Sequence, residues 1–346
     1  MNHPVSRRNF LGAAKTATLG LCASPFLGNL VKVSADSEQT AKSGELVGSN
    51  RTGLVSDERY LLHRQGRGHP ESPERLKAIQ RRLRSSGLDK KLRPIPPKVD
   101  PMAYIRMVHS EAHIERAARQ AHDDAICRLA VSGALSAVDA LCSGEVRNAF
   151  CAIRPPGHHA ANNGEFGFCF YNNVAIAARY AQKQHDLKKI LIVDWDYHHG
   201  DGTEWAFYED SSVLVFSTHA LHAFPGSGAA EKTGSGEGKG FNVNVPLARG
   251  ADDGAIISAF EDRLLPAAED FEPDLVLISA GFDARKDDPL GDFNITDEGF
   301  ARLTKMVMSI ADQYAEARIV SLLEGGYNTE GLALAVEAHL NALMNY

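Results

Sequence analysis

Six short runs in the chain are nearly continuously apolar or β-branched: 149–153 (AFCAI), 190–194 (ILIVD), 212–217 (SVLVFS), 241–245 (FNVNV), 274–279 (DLVLIS) and 319–323 (IVSLL). A strand with one face in water alternates apolar and polar residues, whereas a strand buried on both faces does not. Helix-like stretches at 172–185, 254–270 and 297–314 separate several of these runs, the last with Thr296 or Asp297 placed to cap it. Strand–helix alternation of this kind predicts an α/β domain with a mainly parallel sheet and helices on both faces. A composition of 44% hydrophobic and 23% charged residues over 346 positions supplies one large core or two small ones.

Almost every run is followed at once by a polar loop. After 149–153 comes Arg154-Pro155-Pro156-Gly157-His158-His159, and after 190–193 comes Asp194-Trp195-Asp196-Tyr197-His198-His199-Gly200-Asp201. Gly281-Phe282-Asp283 follows 274–279, and Glu324-Gly325-Gly326-Tyr327 follows 319–323. Open α/β sheets bind ligands outside the carboxyl ends of their strands, so these four loops are expected to meet at one pocket.

Asp196 and His198 stand two residues apart at a strand end, which predicts side chains on the same side, and Asp283 can add a third ligand. Three protein ligands leave a position for water and substrate, the catalytic arrangement for zinc. Two carboxylates make the ion a weaker Lewis acid than three histidines would, so the site needs assistance. The His158-His159 pair can place an imidazole as general base and acid, and Asp194 and Asp201 can each orient one of the two. Tyr327 can donate its hydroxyl to a developing oxyanion, on a Gly-Gly turn that permits close backbone approach. Taken singly, each element has a packing explanation: a paired histidine on the surface, an aspartate as helix cap, a glycine pair as a turn. Four such loops at successive strand ends are hard to explain by packing.

RPPGHHA (154–160), GFCFYNN (167–173), DWDYHHGDGT (194–203), FPGSG (224–228), SAGFDARKDDPLG (279–291) and LEGGY (323–327) resemble the histone deacetylase family, in its class II-like and bacterial branch; HPESPER (69–75) fits that branch too. The resemblance covers about 57–346 and implies a three-layer arginase/deacetylase fold with an eight-stranded, mainly parallel sheet. It implies a zinc-dependent amide hydrolase that removes acetyl or related acyl groups from lysine side chains or small amines, with one zinc per chain. Asp196, His198 and Asp283 match the zinc ligands, and His159 the general base and acid. His158 matches the neighbouring electrostatic histidine, Asp194 and Asp201 the carboxylate partners, and Tyr327 the carbonyl-polarising tyrosine. Phe168 and Phe224 match the aromatic walls of an acyl-lysine tunnel, Gly167 the glycine beside them, and Leu290 a position near its mouth. A structural potassium is implied at Asp194, Ser217 and the carbonyls of Asp196 and His198. Tyr197, where many relatives carry an aliphatic residue, is expected to face away from the ligands.

Three other readings stay open: an acetylpolyamine amidohydrolase, an arginase-like dimanganese hydrolase, and a deacetylase scaffold without chemistry. The first is disfavoured by Leu290, which brings no charge for a cationic amine. The second would want extra carboxylates bridging two metals, and the tandem histidines and the Gly-Gly-Tyr loop argue for deacetylase chemistry instead; the third is disfavoured by the match at every catalytic position.

The front of the chain reads differently. Ser6-Arg7-Arg8-Asn9-Phe10-Leu11, a mildly apolar stretch to about Val31, and Val33-Ser34-Ala35 have the parts of a signal peptide. SRRNFL resembles a twin-arginine pathway signal, which implies export to a bacterial periplasm. Lys15 and several glycines make the stretch too weak for a membrane span of roughly 20 apolar residues. Leu21 before Cys22 argues against lipoprotein anchoring there. Residues 36–56 read as a polar linker, and 57–346 as the catalytic domain. Segment 1–35 carries four basic residues and no carboxylate, so its removal takes the net charge from -7 to -11. A body that acidic argues against binding nucleic acid through phosphates. Cys127 and Cys142 fall in one helical region, where about 22 Å would separate them, so free thiols are expected.

Overall fold

All six apolar runs form strands. The structure, a computed structural model, describes residues 52–345 apart from Gln120 and Glu165. The proposed signal segment, Cys22 and most of the linker lie outside the described residues. The strands are β1 (Thr52–Val55), β2 (Arg93–Pro94), β3 (Asn148–Cys151), β4 (Ile190–Asp194), β5 (Val213–Ala220), β6 (Asn242–Leu247), β7 (Leu275–Ala280) and β8 (Ile319–Leu323). They make one eight-stranded sheet in the order β2-β1-β3-β8-β7-β4-β5-β6, parallel throughout. Every residue of β3, β4, β5, β7 and β8 is buried, which accounts for their unbroken apolar character.

The linker expectation needs correction at its end. Thr52–Val55 pairs in register with both β2 and β3, so the globular domain begins by Thr52 rather than at 57. The four-residue TGLV segment carries only two apolar side chains, too few to stand out beside a Ser/Gly/Thr-rich stretch.

Helices α1 (Pro73–Ser86), α2 (Met102–Val108), α3 (Glu111–Arg119), α4 (Ala121–Cys142), α5 (Asn173–His185), α6 (Asp201–Phe207), α7 (Asp253–Ala259), α8 (Leu265–Phe271), α9 (Asp297–Tyr314) and α10 (Thr329–Met344) surround the sheet. One group, α1, α9 and α10, packs together; α2 to α5 form another. The stretch read as one helix at 254–270 is α7 and α8 joined by a π-helical turn, Phe260–Leu264, just ahead of Pro266. Widening the helix there accommodates a residue that has no N–H to donate. Thr296 is the cap of α9: its Oγ1 accepts the Gly299 N–H at 3.0 Å. Segment Asp123–Cys142 of α4 is long and apolar enough to cross a membrane, but it packs on α5, β3 and β8 as a core helix. Cys127 and Cys142 share that helix, too far apart along it to bridge each other, and Cys142, Cys151 and Cys169 are free.

Register positions the site. Cys151 pairs with Leu322, Leu322 with Ser279, Ser279 with Asp194, and Asp194 with Ser217. That row crosses β3, β8, β7, β4 and β5 at one level. The four polar loops therefore leave adjacent central strands at nearly the same height and meet over their carboxyl ends.

Candidate active site

Asp194 closes β4, and the segment beyond it turns rather than continuing as a strand. Asp196 and His198 are thus not aligned by strand alternation. The Asp196 carboxylate folds back to accept the His198 N–H at 2.8 Å, while Asp194 Oδ1 accepts the Asp196 N–H at 3.0 Å. The expected convergence holds for a different reason. Asp283, from the loop after β7, completes the group, and the ligand atoms of Asp196, His198 and Asp283 lie within 4.8 Å of one another. His198 Nδ1 is 3.2 Å from Asp196 Oδ1 and 3.0 Å from Asp283 Oδ2. Asp196 and Asp283 are buried, and no Lys or Arg side chain pairs with either among the described residues. Two buried carboxylates and an imidazole facing one point suit a divalent cation.

Glycines make room for this cluster. A Cβ on Gly281 would collide with the Asp196 carboxylate, and one on Gly325 with those of Asp283 and Asp196. Gly325 instead donates its N–H to Asp196 Oδ2 at 2.9 Å, which fixes the ligand's second oxygen.

The histidine pair sits beside the cluster, with ring centroids 4.1 Å apart. His158 Nδ1 bonds Asp194 Oδ2 at 2.9 Å, and His159 Nδ1 bonds Asp201 Oδ1 at 2.7 Å. The two dyads differ electrostatically. Burial lowers His158, but the carboxylates of Asp194, Asp196 and Glu324 outweigh it and raise the imidazole well above its ordinary value. Burial lowers His159 to about 4, helped by the charge on His158 and opposed by Asp201. The carboxylates thus favour the charged form of His158 and burial the neutral form of His159; a neutral His159 that donates Nδ1–H to Asp201 leaves its Nε2 to accept.

Tyr327 follows β8. Burial pushes its phenol well above 10.0, and the negative charge of Asp283 and Asp196 adds to this. The loop carrying it is anchored by two side chains, Asp288 and Arg75. Asp288 Oδ2 accepts the N–H groups of Tyr327 at 2.7 Å and Asn328 at 3.0 Å. Arg75 Nε donates to the Gly326 carbonyl at 2.6 Å, and its guanidinium lies 5.0 Å from the Tyr327 ring centroid. Arg75 shares the buried Glu71 carboxylate with Arg154, which leads into the histidine loop.

Two aromatic side chains flank the cluster. The Phe224 ring stands edge-on to His159 at 5.1 Å and lies 6.3 Å from His198. Phe168 meets Tyr327 at 5.9 Å and His69 at 4.4 Å, on a backbone where Gly167 and Phe168 both have positive φ, 51° and 69°. A Cβ on Gly167 would strike the His159 ring. Phe224 and Leu290 are among the exposed large apolar residues, and the Leu290 N–H is held by Asp288 Oδ1 at 2.9 Å. Tyr197 sends its hydroxyl to Asp292 at 2.8 Å.

Sequence reasoning missed several members of this assembly. Glu324, Asp288 and the Glu71–Arg75–Arg154 group hold the loops of the candidate site together. His199, the second histidine of DYHHGD, is not a ligand: its Nδ1 meets Ser227 Oγ at 2.7 Å, and with His219 on the Gly228 carbonyl it pins the loop that carries Phe224.

A family model described as "Histone deacetylase domain" matches residues 119–343. The chain belongs to the histone deacetylase family. It is 36% identical to human Histone deacetylase 9 over an alignment of 345 positions that covers 85% of this chain but only 34% of the human protein. It is 36% identical to a "Probable deacetylase" of Archaeoglobus fulgidus over 296 residues, covering 81% of this chain and 82% of that one. The crystal structure of the HDA15 HD domain superposes with a TM-score of 0.81 at 36% identity, covering 85% of this chain and 90% of that one. The all-parallel sheet with surrounding helices is thus the arginase/deacetylase fold, and Asp196, His198 and Asp283 form the metal-binding candidate of this histone deacetylase family member.

Proposed function

We propose that this protein is a zinc-dependent hydrolase that removes acetyl or related acyl groups from lysine side chains or small amines. The observation that carries the proposal is the meeting of Asp196, His198 and Asp283 beside a buried histidine pair oriented by Asp194 and Asp201, with Tyr327 on the neighbouring loop after β8. Zinc held by these three residues would polarise the acyl carbonyl and acidify a water. His159 takes the water's proton at Nε2, with Asp201 keeping its Nδ1 protonated. Water adds to the carbonyl carbon as the phenol of Tyr327 donates to the developing oxyanion. The positive charge of His158, anchored on Asp194, stabilises the same negative charge. His159 then returns its proton to the amine nitrogen as the C–N bond breaks, leaving a carboxylic acid and an amine, which part as carboxylate and ammonium once the acid's proton passes to the amine. Phe168 and Phe224 provide apolar walls suited to the stem of a lysine chain. A structural potassium fits the same proposal, because Asp194 and Ser217 are register partners in the sheet.

The direct test is acetate release by purified protein from acetyl-lysine amides and from acetylated polyamines, with and without a hydroxamate inhibitor. Leu290 offers no charge to a cationic amine, so acetyl-lysine amides should show the higher kcat/KM. Leu290→Glu should narrow that gap several-fold, about 1 kcal/mol for a charge pair at a partly desolvated mouth. A clear wild-type preference for acetylated polyamines would reverse the substrate assignment.

Export through the twin-arginine pathway to the periplasm belongs to the same proposal. Its support is the pair Arg7-Arg8 ahead of a weakly apolar stretch and a small-residue cleavage motif. Changing both arginines to lysine should leave an active protein in the cytoplasm, read by fractionation; undiminished export of the Lys-Lys variant refutes the route.

A further inference from the structure

Glu324 is fully buried, 0% exposed, and has no step of its own in the chemistry above, beyond adding its charge to those that raise His158. It leaves β8 just before the tyrosine loop and reaches across to the histidine loop. Its Oε2 accepts the N–H groups of Gly157 at 2.6 Å and His158 at 3.1 Å, and its Oε1 accepts the hydroxyl of Ser279 at 3.3 Å. Its own backbone is tied as well: the carbonyl accepts from Arg75, and the N–H donates to the Ala280 carbonyl at 3.1 Å. Gly157 is closed in on its other side, where a Cβ would press on the backbone of Tyr171 and Asn173. One carboxylate thus joins the segment after β3 and strand β7 itself to the segment after β8.

A buried carboxylate is a costly way to fill space, since burial pushes Glu324 up to about 7 against the pull of His158 and two amides. An apolar side chain would fill the volume but would leave two N–H groups without acceptors. We infer that Glu324 is a positioning residue, which clamps the Gly157–His158 amides to the Tyr327 loop and so sets the spacing between the histidine pair and the tyrosine. This rests on the deacetylase reading above.

The test compares wild type with Glu324→Ala, Glu324→Gln and Glu324→Asp, measuring kcat and KM on an acetyl-lysine amide per metal-loaded, folded enzyme. Amide hydrogen exchange at Gly157 and His158 is followed in parallel. Glu324→Ala should lower kcat roughly tenfold to a hundredfold, the scale of a small misplacement of reacting groups, with KM changed less than about threefold. Exchange at both amides should rise at least about tenfold. The glutamine keeps an acceptor oxygen in place and should retain kcat within about fivefold and full protection. The aspartate keeps the charge but lacks the reach, and should resemble the alanine; it decides the matter if Glu324→Ala fails to fold. Wild-type kcat or wild-type protection in the aspartate or alanine variant, or a glutamine variant as impaired as the aspartate, overturns the clamp. A wild-type protein that hydrolyses no acyl amide refutes the deacetylase reading instead, while the exchange data still judge the clamp.

Discussion

Replacing Asp196, His198 or Asp283 with alanine is expected to abolish bound metal and turnover together. The three ligand atoms lie within 4.8 Å of one another, and removing one leaves two, too few to hold a divalent ion against water. The carboxylates also accept backbone N–H groups: Asp196 those of His198 and Gly325, and Asp283 that of Tyr197 at 2.9 Å. Alanine therefore exposes a folding cost as well as a binding loss. Asp283→Asn separates the two, because its amide oxygen can still accept from Tyr197 while the ligand charge is gone. It should remain folded by circular dichroism yet lose the metal by elemental analysis after gel filtration. Retention of a full metal equivalent by two of the three alanine variants would remove the assignment.

Tyr327→Phe should keep the metal and lower kcat about a hundredfold to a thousandfold, the roughly 2.7–4 kcal/mol typical of losing one oxyanion donor. The variant is clean because the supports of the loop do not use the hydroxyl. Asp288 holds the backbone N–H, and Arg75 holds the Gly326 carbonyl and covers the ring, which phenylalanine keeps. Burial and the nearby Asp283 keep the phenol protonated as a donor, so its ionisation should not appear in the neutral pH range of kcat. KM should change little, since the bond strengthens as charge develops on the oxygen. A phenylalanine variant with wild-type kcat makes Tyr327 a turn residue and moves carbonyl activation elsewhere.

The parts of this molecule legible in its sequence are those whose physics is local. Strands β3, β4, β5, β7 and β8 announced themselves because central parallel strands are buried on both faces, whereas β6, at the sheet edge, is only partly buried. The polar loops after β3, β4, β7 and β8 announced the site because strand ends in an open sheet face a common crevice. What stayed hidden depends on partners distant in the chain. β2 is only Arg93–Pro94, exposed and half proline, and is a strand only because Gly53 and Leu54 lie beside it. Glu324 and Asp288 look in sequence like ordinary loop acids. Their importance lies in the backbone amides they accept, at Gly157, His158, Tyr327 and Asn328. Glu71, in the HPESPER segment, carries a family resemblance but gives no hint that its carboxylate is shared by Arg75 and Arg154. The Asp196–His198 pair shows a right placement reached through a wrong local cause, since a turn, not a strand pleat, brings the two together.

The central claim is that one metal, held by Asp196, His198 and Asp283, serves amide hydrolysis. Its most direct test is to quantify zinc, iron and manganese per chain in the purified protein and, on the same sample, acetate released from an acetyl-lysine amide before and after chelation. The account predicts close to one zinc per chain, turnover that disappears with the metal, and recovery when one equivalent of zinc is restored. Two manganese ions per chain, or acetate release undiminished in fully demetallated protein, would contradict it.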